Sequence, residues 1–409
     1  MQIEELLDFC CEFGRRMTRC GGEIYRVEES ITRILAAYGY RESEVFAIPS
    51  YVTVSVHADG RTYTHMVRIR DSATQLETLD QLNNLCRRIC AAPMEISAAR
   101  AEMDEIVRRP ALPPAADYAM YGLAAMFFTL FWGGTVLDAA IALPVGLLTR
   151  LIVPRLRKAG ANVFFLNVIA AAAQAVVPLL LAHAGLANHS DKVIIGALML
   201  LVPGLAITNA MRDVIAGDFL TAVVRLAEVL IVSVAIALGI VIAIASCRML
   251  PGFPPWVSLP DAAVHPVLQC LYAALSCFGF CGILGVRRGK YIAAACIAAG
   301  AAWAVYLAAA VLPEAARYLI ATAACALMAE ICARIFRVPA TVFLLVAIIP
   351  MVPGGGLYYT MEALLSGNQA LCAQLGIQTG AAAAAIAVGA SLVTSLMRIC
   401  KPRGKCAQI

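Results

Sequence analysis

The chain carries little charge for its length. Only 14% of its 409 residues are Asp, Glu, Lys or Arg, whereas about 25% is usual for a soluble globular domain. The mean hydropathy is +0.79. The few charges are also unevenly placed, because residues 1–110 are rich in Arg, Glu and Asp and the rest consists of long apolar stretches joined by short polar loops. A single soluble domain is therefore excluded, and the composition indicates a multi-pass membrane protein with a polar N-terminal domain.

Motifs for catalysis and for cofactor or nucleic-acid binding are missing as well. The sequence has no nucleophile elbow and no phosphate-binding loop, and its fifteen cysteines form neither a CxxC pair nor a metal-ligand spacing. We therefore expect no enzyme activity, no cofactor, no metal and no nucleic-acid partner. The opening residues, MQIEELLDFC, lack a basic n-region and an apolar h-region, so we expect no signal peptide.

The polar domain is predicted to be α+β, over residues 1–110. Apolar residues recur at helical spacing in two segments before residue 40 and in two after residue 75. Between them, residues 51–70 alternate with period two around Asp59-Gly60, which predicts a β-hairpin with a two-residue turn. That register sets Val54 opposite His65 and places His57 and His65 on opposite faces, which argues against a metal site. The charged segment GGEIYRVEES (Gly21–Ser30) is either a solvated helix start or a docking and gating surface.

Ten apolar runs of about twenty residues predict ten transmembrane helices. They lie near 118–135, 137–153, 162–184, 193–211, 219–247, 266–286, 291–312, 316–335, 338–360 and 377–398. The loops on the N-terminal side of the membrane hold seventeen Lys and Arg residues, and the opposite loops hold only Lys192, Arg248 and Arg317. The positive-inside rule then makes both termini cytoplasmic. We assign 111–250 and 264–400 to two five-helix halves and 401–409 to a cytoplasmic tail.

An internal repeat links the two halves. VPGLAITNAMRDVIAG (Val202–Gly217) aligns without gaps, at an offset of 150 residues, with VPGGGLYYTMEALLSG (Val352–Gly367), and both copies lie in the fourth span of their half. Because each half has an odd number of spans, the second copy enters the membrane upside down. The predicted fold is therefore an all-α polytopic membrane protein of about ten helices, arranged as a 5+5 inverted-topology repeat.

Proline and glycine interrupt both copies at membrane depth, where lost backbone hydrogen bonds are costly. In inverted-repeat transporters, such breaks expose half-helix N-termini that bind anionic groups near the midplane. Pro350 offers an earlier start for the second break. The alternative is that Pro and Gly only kink these helices. The candidate substrate-binding residues at the breaks are Val202, Pro203, Gly204, Pro353, Gly354, Gly355 and Gly356.

Polar side chains near the breaks complete the candidate site, because polar groups are expensive in lipid and often functional. Those predicted to contact substrate are Thr208, Asn209, Arg212, Asp213 and Tyr358. Arg212 and Asp213 have an alternative role as an interfacial anchor pair, and Tyr358 as part of an aromatic belt. Glu228 and Glu330 are candidates for proton coupling, although Arg334 could form an ordinary i,i+4 ion pair with Glu330.

Long motifs in both halves resemble the threonine/serine exporter family. GGEIYRVEES, FAIPSYVTVSV (Phe46–Val56) and the segment 201–228 resemble its N-terminal half, and the segment 333–361 resembles its C-terminal half. The resemblance implies a secondary exporter of small metabolites in the inner membrane. Fused members of the family are associated with proton-driven efflux of threonine and serine, and split relatives with succinate.

We therefore expect a proton-coupled exporter of threonine or serine, with the lipid bilayer, protons and a small carboxylate-bearing substrate as partners. Homo-oligomer formation is left open. Two alternatives remain: a dicarboxylate exporter, in which Arg212 or Arg334 supplies a second cationic contact, and a membrane receptor whose N-terminal domain signals.

Overall fold

A computed structural model describes residues 3–70, 74–108, 112–203, 206, 209–211, 213–214, 217–253, 264–365 and 367–399. Its contacts divide the chain into two compact units. The first comprises Met1–Pro113 with Leu284–Arg287, and the second comprises Pro114–Ile283 with Arg288–Ile409.

The first unit combines four helices with a three-stranded sheet. The helices are α1 (Ile3–Arg19), α2 (Ile24–Ala37), α3 (Leu76–Ala91) and α4 (Ile96–Arg108). The strands β1 (Ser43–Ile48), β2 (Tyr51–Ala58) and β3 (Arg61–Arg68) pair antiparallel in that order. One stripe of each helix and the even-numbered positions 52, 54 and 56 of β2 are fully buried and form one apolar core. The alternation in the sequence thus corresponds to an inner and an outer face of the sheet.

The predicted hairpin register is confirmed. Val54 pairs with His65 and His57 with Thr62 across a turn in which Asp59 and Gly60 both have positive φ. Such a turn needs left-handed backbone at both central positions, which Asp-Gly tolerates well. The His57 Nδ1 lies 2.8 Å from the Thr62 hydroxyl, while the His65 Nε2 lies 3.4 Å from Asp8. The two imidazoles therefore have separate partners, and no metal-binding cluster occurs among the residues described.

Every helix or strand described in the second unit is a helix. Its first half contains α5 (Pro114–Phe131), α6 (Val136–Lys158), α7 (Val163–His183), α8 (Ser190–Leu198) and α9 (Phe219–Cys247). Its second half contains α10 (Pro266–Ile283), α11 (Gly289–Ala308), α12 (Glu314–Phe336), α13 (Thr341–Ala347), a 3₁₀ turn (Ile349–Met351), α14 (Gly354–Leu365) and α15 (Gln369–Ile399).

Seven of the described helices are long and apolar enough to cross a membrane: α6, α7, α9, α10, α11, α12 and the part of α15 up to Met397. An eighth span results if Thr341–Met351 and Gly354–Thr360, bent by 44° at their junction, count as one. Apolar length on this scale needs a hydrocarbon environment. The chain is therefore a multi-pass α-helical membrane protein, while the ten predicted spans stay a prediction.

Candidate functional site: the broken helices and an aromatic cavity

The second break begins before its proline-glycine motif. Helix α13 ends at Ala347, the backbone tightens into a 3₁₀ turn around Pro350, and α14 starts at Gly354. The earlier start that Pro350 suggested is thus confirmed. The Gly354 N–H donates to the Val352 carbonyl (2.7 Å). In the first turn of any α-helix, the backbone N–H groups have no acceptor within the helix. The N–H groups of Gly355 and Gly356 are therefore donors of this kind at the N-terminus of α14.

The two breaks lie against each other. A Cβ atom on Gly354 would stand 3.0 Å from the Met199 Sδ and 3.1 Å from the Val202 Cγ1, so the first break packs closely against a glycine of the second. Leu357 and Tyr358, one turn further along α14, also pack near Val202 in two apolar clusters. Segments 150 residues apart in the sequence therefore form one contact region.

A cavity of about 440 Å³ opens beside the second break. This volume is within the usual range for small-molecule sites, about 300–1,000 Å³. Three residues of the predicted site, Pro353, Gly355 and Gly356, line it, together with the neighbouring Val352. Gly355 is close to the Trp132 ring, because a Cβ there would lie 3.5 Å from the Trp132 Cη2. The cavity and the N-terminus of α14 are therefore one site.

Aromatic rings form one wall of the cavity. Trp303 stacks on Tyr306 with ring centroids 4.6 Å apart, and Tyr306 contacts Tyr318 at 4.8 Å. Trp132 and Trp303 both line the cavity, and their indole N–H groups are buried without a hydrogen-bond partner among the described residues. Buried indole donors are normally paired. Each indole N–H is therefore a donor at the edge of the cavity that still lacks an acceptor in the part of the chain that the structure describes.

Two charged side chains also line the cavity, both from the start of α12. The Arg317 guanidinium lies over the Tyr306 ring, 4.1 Å from its centroid, and its Nε donates to the Tyr306 carbonyl oxygen (3.2 Å). Glu314 lies in the first turn of the same helix. The sequence pattern does not predict Trp132, Trp303, Glu314 or Arg317 as site residues. Tryptophan is rare in this chain and two of its three tryptophans line this cavity, but their spacing does not show that they meet.

The polar residues predicted after the first break are only partly described. Gly204, Thr208 and Arg212 lie outside the described residues. Asn209 and Asp213 are half-buried, and the Asp213 carboxylate pairs with Arg225 on α9 (3.2 Å). Neither Asn209 nor Asp213 lines the cavity. Tyr358 does not line it either, because it is buried among apolar residues of the first half, whereas the neighbouring Tyr359 does.

The two predicted proton-coupling residues lie away from the cavity. Glu228 is on an exposed position of α9, and Glu330 is half-buried on α12. The Arg334 guanidinium approaches the Met397 Sδ (3.4 Å). Within the part of the chain that the structure describes, Arg334 forms no ion pair with Glu330.

A polar cluster in the first half has no counterpart in the sequence analysis. Asp138, fully buried in the first turn of α6, accepts hydrogen bonds from the Thr135 hydroxyl (2.7 Å) and from the Asn188 and His189 backbone N–H groups (3.0 and 3.1 Å). Its second oxygen also lies 3.0 Å from the His189 Nδ1. With Thr135 as N-cap, this is a capping box that ties the start of α6 to the segment before α8.

The charged segment Gly21–Ser30 is tied into the first unit. Ile24 and Val27 are buried in its core, and Glu28 accepts a hydrogen bond from the Ala47 N–H (2.9 Å). Glu23 pairs with Arg26 (2.6 Å). The segment therefore has an internal packing role, and its predicted docking or gating role stays a prediction.

Apolar helices, a pair of packed breaks and a cavity of ligand size define the class of protein, an α-helical multi-pass membrane protein. Comparison with known proteins is more specific. The chain belongs to the threonine/serine exporter family: one model of that family matches residues 8–246, and a second, described as "Threonine/Serine exporter", matches residues 269–396.

A curated relative from Mycobacterium tuberculosis bears the name "Probable threonine/serine exporter". It is 25% identical to this chain over 254 residues, which cover 60% of this chain and 46% of the relative. The chain thus spans about half the length of this relative. No solved structure matches the chain.

Proposed function

We propose that the chain is a secondary transporter that exports small carboxylate-bearing metabolites, with threonine and serine as first candidates. The observation that carries the proposal is the junction of the two breaks beside the cavity. There the N-terminus of α14 presents the N–H groups of Gly355 and Gly356 to a space of ligand size. A helix N-terminus favours anions through its free N–H groups and its dipole. The substrate carboxylate is therefore assigned to this position.

Alternating access requires two structural elements that can exchange conformations. In the proposed function, the two halves of the internal repeat are these elements. Helices α10, α11, α12, α13 and α15 each begin 150 to 153 residues after α5, α6, α7, α8 and α9. The short helices α8 and α13 are both buried along their whole length. Together with the aligned sequence motifs, this spacing supports a 5+5 repeat.

Close helix crossings support the same repeat. Gly239 on α9 lies against the backbone of Val168 on α7, and Gly389 on α15 lies against the backbone of Leu319 on α12. These glycines are 150 residues apart and their contacts 151. Gly279 of α10 also packs on Ala124 of α5, so two helices at matching positions touch each other. Contacts between repeat partners are expected around a pseudo-two-fold axis.

The proposed topology has ten spans in the inner membrane, with α5 and the segment that begins with α8 added to the candidate spans, and both termini are placed in the cytoplasm. The excess of Lys and Arg in loops on the N-terminal side supports this orientation. It places the loop before α12, and with it the cavity mouth at Glu314 and Arg317, on the opposite side. The cavity is then the outward-facing end of the export path.

Proton coupling is assigned to Glu228 or Glu330, because a carboxylate inside a span can bind a proton in one transport state and release it in another. The polar N-terminal unit, over residues 1–110, is assigned a cytoplasmic position. The two membrane halves are assigned to 111–250 and 264–400, and the cytoplasmic tail to 401–409.

Efflux from vesicles tests the proposal. Right-side-out vesicles that contain the full chain are preloaded in parallel with labelled threonine, serine and succinate, with and without a proton gradient. Gradient-dependent loss of threonine and serine is the expected result, with vesicles lacking the chain as control. Loss of succinate alone would assign the chain to dicarboxylate export. Saturable binding without flux of any of the three would favour a receptor and contradict the proposal.

A further inference from the structure

The cavity is lined by one carboxylate and one guanidinium from the same helix. Glu314 and Arg317 are three residues apart on α12, a spacing that sets two side chains on the same helix face, and both line the cavity. A substrate whose carboxylate occupies the N-terminus of α14 therefore directs its other end toward a site that contains both charges.

The two charges are not equally available to a ligand. The Arg317 guanidinium is held against Tyr306, with its plane over the ring and its Nε bonded to the backbone carbonyl. The negative face of the Tyr306 ring thus already stabilises part of the positive charge of Arg317. The Glu314 carboxylate is exposed and has no hydrogen-bond or ion-pair partner among the described residues. Glu314 is thus the charge in the cavity that is available to a ligand.

We infer that Glu314 binds the α-ammonium group of the substrate, so that the cavity selects zwitterionic amino acids over dicarboxylates. The aromatic wall supports this role, because the faces of the Trp303 and Tyr318 rings attract a cation such as the ammonium group. A second carboxylate at the same position would meet the Glu314 carboxylate and be disfavoured. Glu314 can have this role only if the cavity is the export site, so the assignment rests on the proposed function.

Glu314 also has an ordinary structural role. An acidic residue in the first turn of a helix interacts favourably with the helix dipole. Removing its charge would then lower the stability of the protein slightly, but it would not change which ligand binds. Selectivity between ligands is therefore the measurement that separates the two roles.

The test uses the purified full chain in nanodiscs and four probes: L-threonine, 3-hydroxybutyrate, which lacks the ammonium group, threoninamide, which lacks the carboxylate, and succinate. Binding is measured by competition with labelled threonine for the wild type, and by calorimetry for Glu314→Gln and Glu314→Asp. Wild-type protein is expected to bind threonine roughly tenfold or more tightly than either truncated analogue, the usual effect of losing one charged hydrogen bond.

In Glu314→Gln, threonine is expected to bind roughly tenfold or more weakly while 3-hydroxybutyrate is unchanged and succinate improves. Glu314→Asp keeps the charge and should restore most of the preference for threonine. If Glu314→Gln keeps the wild-type ratio of threonine to 3-hydroxybutyrate, the role of Glu314 is refuted and the proposed function stands. If the wild-type protein binds none of the probes and shows no efflux, the proposed function fails and the assignment of Glu314 with it.

Discussion

The two halves of the helical unit share a backbone plan and differ in chemistry. Among the described residues, each half has three long helices, a short buried helix and a final long helix, and in both sequences a Val-Pro-Gly motif follows the short helix. At the offsets of the helix pairs, 153 residues for α11 and α6 and 151 for α12 and α7, however, Tyr306, Glu314 and Arg317 of the cavity correspond to Val153, Val163 and Leu166 in the first half. Crossing glycines and breaks recur because they set the helix geometry, whereas side chains that face a ligand are free to diverge.

The crossing glycines offer the most severe test of the shared plan. Gly239→Leu and Gly389→Leu each force a side chain into the backbone of a neighbouring helix, Val168 or Leu319. We expect both variants to lose about 3 kcal/mol or more and to be depleted from the membrane, as measured by protein level and by thermal unfolding in detergent. Gly380→Leu on the same helix α15 is the matched control, because no atom lies within 4 Å of its Cβ position. If only one of Gly239→Leu and Gly389→Leu has the protein level and thermal stability of the wild type, the two halves are not equivalent.

Gly355 tests where the halves diverge. A Cβ atom at this position would have room beside Trp132 (3.5 Å) but would face the cavity. Gly355→Ala should therefore fold and transport. Gly355→Val should fold as well but reduce threonine efflux by about tenfold or more, because the larger side chain fills the site next to the α14 donors. Gly380→Val serves as control. Equal efflux in Gly355→Val and the wild type would separate the cavity from the transport path.

The starts of α6 and α11 differ in how firmly they are held. Asp138 is fully buried and accepts several hydrogen bonds, whereas Arg288, the N-cap residue of α11, is exposed. The Arg288 Nη1 donates to the Tyr291 hydroxyl (2.9 Å), and its guanidinium lies over the Tyr291 ring. Asp138→Asn should therefore cost about 2 kcal/mol of stability, because it leaves buried donors poorly paired. Arg288→Gln should cost no more than about 1 kcal/mol. Thermal unfolding of both variants measures the difference, and a larger loss for Arg288→Gln would reverse the proposed ranking.

Periodicity in the sequence predicted the elements well, because each depends on neighbours a few residues away. The Asp59-Gly60 turn and the helical stripe through Leu6 and Phe13 are local features, and so is the break at Pro353. The cavity could not be predicted in this way. Trp132 directly follows α5, while Trp303 and Thr379 lie on α11 and α15, and the three meet only after those helices pack. Period and spacing contain no information on such distances.

The carboxylates of the two halves give the finest comparison. Glu228 is exposed on α9, while Glu330 is half-buried on α12. A rearrangement of helices during transport changes the surroundings of a half-buried side chain more than those of an exposed one, so we expect proton coupling at Glu330. Glu330→Gln should slow gradient-driven threonine efflux by about tenfold and make its rate independent of the pH gradient, while Glu228→Gln should change the rate by less than about twofold. Threonine exchange without a gradient is the control for folding, since it needs the site but no net proton movement. If Glu228→Gln alone loses the gradient dependence, coupling belongs to the first half, and if neither variant does, both carboxylates leave the mechanism.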